Sequence, residues 1–239
     1  IGHTRWATHG KPSDLNAHPH TDCTGQIYCV HNGIIENHVE LRRDLEKDGH
    51  CFLSETDTEI IAHLIEHYIS NNTLEDAVQK SVKRLKGSYA IAVASLCDPN
   101  KIVVARKDSP LIVGIMDDGS HLVASDLCAL LDQTKTVLYL ENGDIATMTP
   151  EKIKIVGVDG KECVRDFEDV CIDVTEMEKN GYEHFMLKEL MEAPEVMRES
   201  LNIKTLSFSD HWKKISRILF VGGGGGEFAS LIGAHPAEQ

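Results

Sequence analysis

The chain has 239 residues and a formal net charge of −14 at pH 7. With 41% hydrophobic and 26% charged residues, its composition excludes intrinsic disorder and fibrous repeats. The acidic balance argues against nucleic-acid binding and against adhesion to an anionic membrane, since both need clustered Lys and Arg. No apolar run approaches the ~18 residues that span a bilayer.

Seven cysteines, Cys23, Cys29, Cys51, Cys97, Cys128, Cys163 and Cys171, form no CxxC pair. The odd number argues against a disulfide scaffold or zinc ribbon and points to reduced thiols in the cytoplasm. Ile1–Gly10 contains no apolar segment of the kind a signal peptide needs. The chain does not begin with Met, which reads as a processed chain or a fragment.

Six of the thirteen histidines fall within the first fifty residues: His3, His9, His18, His20, His31 and His38. Gly10, Pro12, Pro19 and Gly25 punctuate this stretch, which predicts loops around a short strand at Ile27–Val30. A helix is expected over Asn37–Lys47, with Val39, Leu41 and Leu45 inward. Thr56 and Glu59 stand three apart as a capping box before Ile60, Ile61, Leu64, Ile65 and Tyr68, which keep a helical period. A third helix is expected from Thr73, with Leu74, Ala77, Val78, Ser81, Val82 and Leu85 on its inner face.

From Ser88 the period changes to that of strands. Ser88–Leu96 and Ile102–Arg106 flank a turn at Asp98-Pro99-Asn100. Leu111–Met116 and His121–Ala124, Thr136–Leu140 and Ile145–Met148, and Ile153–Val158 and Glu162–Arg165 flank Gly-containing turns, the pattern of antiparallel hairpins. Helices followed by such strands predict an α+β architecture. Beyond Cys171, helices are expected at Glu183–Ala193, ending before Pro194, and at Glu195–Leu201. An apolar strand Ile215–Val221 runs into five glycines, Gly222–Gly226, like the start of a phosphate-cradling βα unit.

Three segments carry candidate chemistry. Arg5 is a permanently charged fork suited to a carboxylate, although most such residues are solvated surface groups. Asn32 and Gly33 offer an amide and an unobstructed backbone N–H, an oxyanion-hole pair or else a simple Asn-Gly turn. Asp57 is either a helix cap or a partner for an ammonium group. Together they fit one free amino acid, with Arg5 on its carboxylate, Asp57 on its ammonium, and Asn32 and Gly33 on a carbonyl further along. That is the logic of recognising glutamine and attacking its side-chain amide.

HTRWATHG (His3–Gly10), NAHPH (Asn16–His20), HNGIIEN (His31–Asn37) and SETDTE (Ser54–Glu59) closely resemble the glutamine–fructose-6-phosphate aminotransferase family. The resemblance runs through RLKGSYA (Arg84–Ala90), ASDLCALL (Ala124–Leu131) and YLENGDIA (Tyr139–Ala146) to HFMLKELMEAP (His184–Pro194), in order over nearly the whole chain. It implies a class II glutamine amidotransferase domain with the N-terminal-nucleophile hydrolase fold, an αββα sandwich, over residues 1–174. Residues 175–214 would be linker helices, and 215–239 the start of an α/β sugar-isomerase domain. It makes Arg5 the glutamine carboxylate anchor with Thr8 and His9 in the same loop, Asp57 the ammonium holder, Asn32 and Gly33 the oxyanion hole, and Trp6 a gate on the ammonia path. It implies conversion of D-fructose 6-phosphate and L-glutamine to D-glucosamine 6-phosphate in a homodimeric parent, with no cofactor and no metal.

The family's nucleophile is an N-terminal cysteine whose free α-amine is the general base. This sequence begins with Ile1, and no internal cysteine replaces it, because its backbone nitrogen is an amide. Val221 leads into glycines where the family has a Cys-Gly-Thr-Ser phosphate loop. The chain is therefore expected to be inactive alone, with fructose 6-phosphate bound only by an absent domain. Two alternatives stand beside this: a non-catalytic glutamine-binding module, and a metal hydrolase built on His3, His9, His18, His20 and His31.

Overall fold

The computed structural model describes residues 1–5, 9–170, 179–202, 216, 217 and 219. The chain divides into two compact units, Ile1–Glu178 and Lys179–Gln239.

In the first unit, alternation along the strands builds two cores at once. Strands β1 (His20–Thr21), β2 (Ile27–Ile35), β3 (Gly87–Ser95), β4 (Asp98–Lys107), β8 (Asp144–Met148) and β9 (Ile153–Gly157) form one antiparallel sheet in the order β1-β2-β3-β4-β8-β9. Tyr89, Ile91 and Val93 of β3 face one core, and Ala90 and Ala92 face the other, as the two-residue period requires. The first core is closed by helices α1 (His38–Lys47), α2 (Glu59–Ile69) and α3 (Leu74–Val82). The second is closed by a sheet in the order β10-β7-β5-β6, in which Val113 and Leu138 pack against Val104 and Ala146. That sheet comprises β5 (Ile112–Ile115), β6 (His121–Ala124), β7 (Thr136–Tyr139) and β10 (Glu168–Asp169). Its outer face, Ile112 and Val137, packs on Leu130 of α4 (Cys128–Leu131). The layers are thus helix, sheet, sheet, helix: the αββα sandwich.

Local chemistry sets where α3 begins. Thr73 accepts the Asp76 N–H at 3.2 Å and caps α3, and Leu74, Ala77, Val78, Ser81, Val82 and Leu85 are all buried. Several expectations are corrected. β2 does not stop at Val30 but continues through Asn32 and Gly33 to Ile35, paired with β3 throughout. Val39 is exposed, because the apolar stripe of α1 is only Leu41 and Leu45 wide. Thr56 does receive the Glu59 N–H at 3.4 Å. The Glu59 carboxylate, however, reaches back past Thr56 to the N–H groups of Leu53 and Ser54, both at 2.7 Å. Pro99 lies within β4 rather than in the turn, which falls at Leu96–Cys97; a proline is tolerated near a strand's start. Glu162–Arg165 is not a strand; only Glu162 bridges to Val156.

In the second unit, α5 (Phe185–Asn202) is one helix with Pro194 inside it, where a break was expected. Leu190, whose carbonyl the proline leaves without its helical partner, is exposed, so water can serve it. Most of the expected strand Ile215–Val221, and all of Gly222–Gly226, lie outside the described residues.

Candidate active site

The backbone of β2 and β3 sets the site. Gly33 has φ +120°, and a Cβ there would lie 2.2 Å from the Ser88 carbonyl oxygen. Only glycine lets the two strands run this close. Asn32 and Gly33 therefore sit rigidly within a paired strand, neither after a strand nor in a turn.

Asp57 enters from the loop before α2. It does not cap that helix: the N-cap is Thr58, with no side-chain capping bond. Asp57 Oδ2 instead accepts the Ile35 N–H at 2.8 Å, tying the helix entry to the end of β2. Asp57 is 3% exposed, and its Oδ1 faces His9 Nδ1 at 3.7 Å.

The N-terminal loop brings the guanidinium. Arg5 adopts φ +63°, its N–H donates to His3 Nδ1 at 2.9 Å, and its Nη2 donates to the His9 carbonyl at 2.7 Å. Since His3 Nδ1 accepts, Nε2 carries the proton and donates to Asn32 Oδ1 at 2.7 Å. That bond orients the Asn32 amide with its oxygen toward His3, leaving its NH2 to face elsewhere.

His3, Arg5, His18, His31, Asn32, Gly33, Asp57 and Thr58 line one cavity of about 70 Å³. Larger hollows, such as the open groove of about 580 Å³ over Glu36, Glu40 and Arg43, include none of Arg5, Asn32, Gly33 and Asp57. The small cavity has room for about two water molecules, so an amino acid enters only if its walls part. His9 stands beside Asp57 and is not in the lining. Trp6 and Thr8 lie outside the described residues.

Two of the lining histidines, His18 and His31, are pushed toward the neutral form. Burial, reinforced by His3, His20, His31 and Arg5, lowers His18 to about 3. Burial likewise lowers His20 and His31. His18 Nδ1 accepts the His31 N–H at 3.5 Å, and the His31 Nδ1 meets Thr58 Oγ1 at 3.0 Å. Sequence reasoning assigned no step to His3, His18, His31 or Thr58; the density of histidines in the first fifty residues was the signal.

The alternative metal set is not assembled. Among the described residues, no three of His3, His9, His18, His20 and His31 gather their ligand atoms into one metal-sized group; the rings of His3 and His18 instead stack with centroids 4.3 Å apart. No described cysteine lines the cavity. Cys29 is fully buried, and burial pushes its thiol far up.

A family model described as a glutamine amidotransferase domain matches residues 3–132. The chain belongs to the glutamine amidotransferase domain family. Relatives of this amidotransferase domain include the glutamine–fructose-6-phosphate aminotransferase (isomerizing) of Methanothermobacter thermautotrophicus, 43% identical over 242 residues, which cover all of this chain and 41% of that protein. The enzyme of the same name from Thermotoga maritima is 51% identical over 201 residues, 84% of this chain and 33% of its own length. The chain thus spans about two fifths of the curated relatives it matches. Among solved structures, the glutamine phosphoribosylpyrophosphate amidotransferase of B. subtilis matches with a TM-score of 0.54 at 30% identity, over 65% of this chain and 34% of that one. The amidotransferase domain has the N-terminal-nucleophile sandwich of that structure.

Proposed function

We propose that this chain is the glutamine-handling part of a glutamine–fructose-6-phosphate aminotransferase. The supporting observation is that Arg5, Asn32, Gly33 and Asp57, from three separate segments, line one cavity. In this reading Arg5 takes the glutamine α-carboxylate as a planar fork, and Asp57 takes the ammonium. The side-chain carbonyl then rests against the Asn32 amide and the Gly33 N–H.

The chemistry is nucleophilic acyl transfer. A thiolate adds to the amide carbon, the oxyanion is held by Asn32 and Gly33, and the C–N bond breaks as nitrogen takes a proton and leaves as ammonia. Water then hydrolyses the thioester to glutamate. No described cysteine reaches the cavity, so this chain by itself releases no glutamate. The N-terminal cysteine of the parent enzyme supplies the thiol. Trp6 gates the ammonia path, Thr8 and His9 support the Arg5 loop, and fructose 6-phosphate binds a sugar-isomerase domain that begins in 215–239. Residues 1–174 form the amidotransferase domain and 175–214 the linker of a cytoplasmic, homodimeric parent.

The test is a thermal-shift titration with glutamine, paired with a glutamate-release assay. Glutamine at a hundredfold excess over its Kd stabilises by about 2.7 kcal/mol, while Arg5→Gln and Asp57→Asn abolish the shift. Release stays at the level of a heat-killed control. Equal shifts with asparagine or glutamate sink the assignment of the clamp.

A further inference from the structure

Beside α2, four side chains converge that the amidotransferase chemistry does not use. Cys23 lies in the turn between β1 and β2 and is exposed. His50 follows the C-terminus of α1, and His63 and Glu66 stand three apart on one face of α2. Their ligand atoms all lie within 4.8 Å of one another. We propose that Cys23, His50, His63 and Glu66 form a tetrahedral site for a zinc-class divalent cation.

The distances carry the argument. Metal–ligand bonds of about 2.0–2.3 Å at the tetrahedral angle place neighbouring ligand atoms roughly 3.3–3.6 Å apart. Here Cys23 Sγ is 3.4 Å from His63 Nδ1 and 3.8 Å from His50 Nδ1. Glu66 Oε2 is 2.9 Å from His50 Nδ1 and 3.3 Å from His63 Nδ1. Both imidazoles present the same nitrogen toward one point. The four atoms already stand close to where a tetrahedral ion needs them.

The surroundings match those of a ligated histidine. His63 is 1% exposed, and its other nitrogen, Nε2, makes no hydrogen bond and faces Glu59 Oε1 at 3.6 Å. If Nδ1 binds the cation, the proton must sit on Nε2, pointing at that carboxylate, the usual arrangement around zinc. Glu59 is itself fixed by the N–H groups of Leu53 and Ser54 and by the Ser54 hydroxyl, all of which donate to its carboxylate. The Cys51 N–H donates to Cys23 Sγ at 3.4 Å, so the sulfur also has a backbone donor beside it. A thiolate, a carboxylate and two neutral imidazoles carry two negative charges, which one divalent cation cancels. The mixed S, N and O set excludes magnesium and calcium, which take oxygen ligands. Four protein ligands fill a tetrahedral shell, so the ion fastens the β1–β2 turn, the α1 exit and α2 together and performs no catalysis. On binding, the Cys23 S–H bond breaks, its electron pair goes to the metal and its proton goes to the buffer.

The test uses the full chain, stripped of metal by chelator and dialysis, then titrated with Zn²⁺ against a chromophoric competitor and separately with Co²⁺. The wild type takes up one equivalent of Zn²⁺, its melting temperature rises, and Co²⁺ gives a thiolate-to-metal band. Cys23→Ser and Glu66→Gln weaken Zn²⁺ binding on the order of 100-fold or more, beyond what loss of an outer-shell partner does. Cys23→Ser also removes the thiolate band, while Cys51→Ser and Asp57→Asn bind as the wild type does. The Asp57 control separates this site from the glutamine pocket. Because Cys23 is on the surface, its variant remains folded even if one at buried His63 does not. Substoichiometric uptake, a Cys23→Ser chain that binds normally, or loss that follows Cys51 instead overturns the assignment.

Discussion

Replacing Gly33 with alanine tests whether close strand contact builds the site. The added methyl would lie 2.2 Å from the Ser88 oxygen and 2.7 Å from its carbonyl carbon. Ordinary contacts are about 3.5 Å, so β2 and β3 must part by roughly 1 Å there. The neighbouring pairs Gly33↔Tyr89 and Ile34↔Ser88 then lose about two ladder bonds, at about 1 kcal/mol each. Alanine at φ +120° adds strain of about 1–2 kcal/mol. The expected loss is about 3–4 kcal/mol. Gly119 is the control: it has φ +83° and nothing within 4 Å of its Cβ position, so Gly119→Ala costs only strain, about 1 kcal/mol. Urea unfolding followed by circular dichroism measures both. A thermal scan should show Gly33→Ala melting roughly 10 °C lower, at about 2–4 °C per kcal/mol for a domain of this size. Equal losses in the two variants would refute the role of the Ser88 contact.

Arg165 grips Asp144 with two bonds of 2.9 Å, and Asp144 is 2% exposed. Arg165→Met strands that carboxylate and costs about 2 kcal/mol, the low side for a broken buried pair because Arg165 keeps partial contact with water. A change below about 0.5 kcal/mol in urea unfolding contradicts this. Acid should weaken the fold in two overlapping windows. His18 is lowered from 6.5 to about 3, so between those values the unfolded chain binds a proton that the folded one refuses. Stability therefore falls as pH drops, by up to about 1.4 kcal/mol per unit, roughly halved by solvent around the half-buried ring. Burial opposes ionisation of Glu59, but the His63 ring 3.6 Å away and hydrogen bonds from Leu53 and Ser54 prevail and hold it at about 2 against an ordinary 4.5. Its contribution is lost as pH falls from 4.5 toward 2. Melts across this range should show monotonic loss, and His18→Gln should flatten the upper window. An unchanged slope in that variant rules His18 out as the titrating group.

Much of the layered fold was legible because burial writes itself as period. The inner face of α3 and the alternation in β3 follow from which side chains must leave water. Element ends were less legible. β2 runs past Val30 because β3 pairs with it through Ile35, and nothing local to His31-Asn32-Gly33 announces a partner 56 residues away. Likewise α5 passes Pro194, since an exposed helix can give up one hydrogen bond to water.

The residue types and their order along the chain were enough to nominate Arg5, Asn32, Gly33 and Asp57, because a zwitterion with an amide dictates a cation, an acid and an oxyanion site. Only folding decided that these groups line one cavity, that His3 orients the Asn32 amide, and that His18 and His31 stay neutral. Each of these depends on distances between segments far apart in the chain. The Cys23, His50, His63 and Glu66 cluster makes the same point: no regular spacing marks it, and it exists only because β1, α1 and α2 meet.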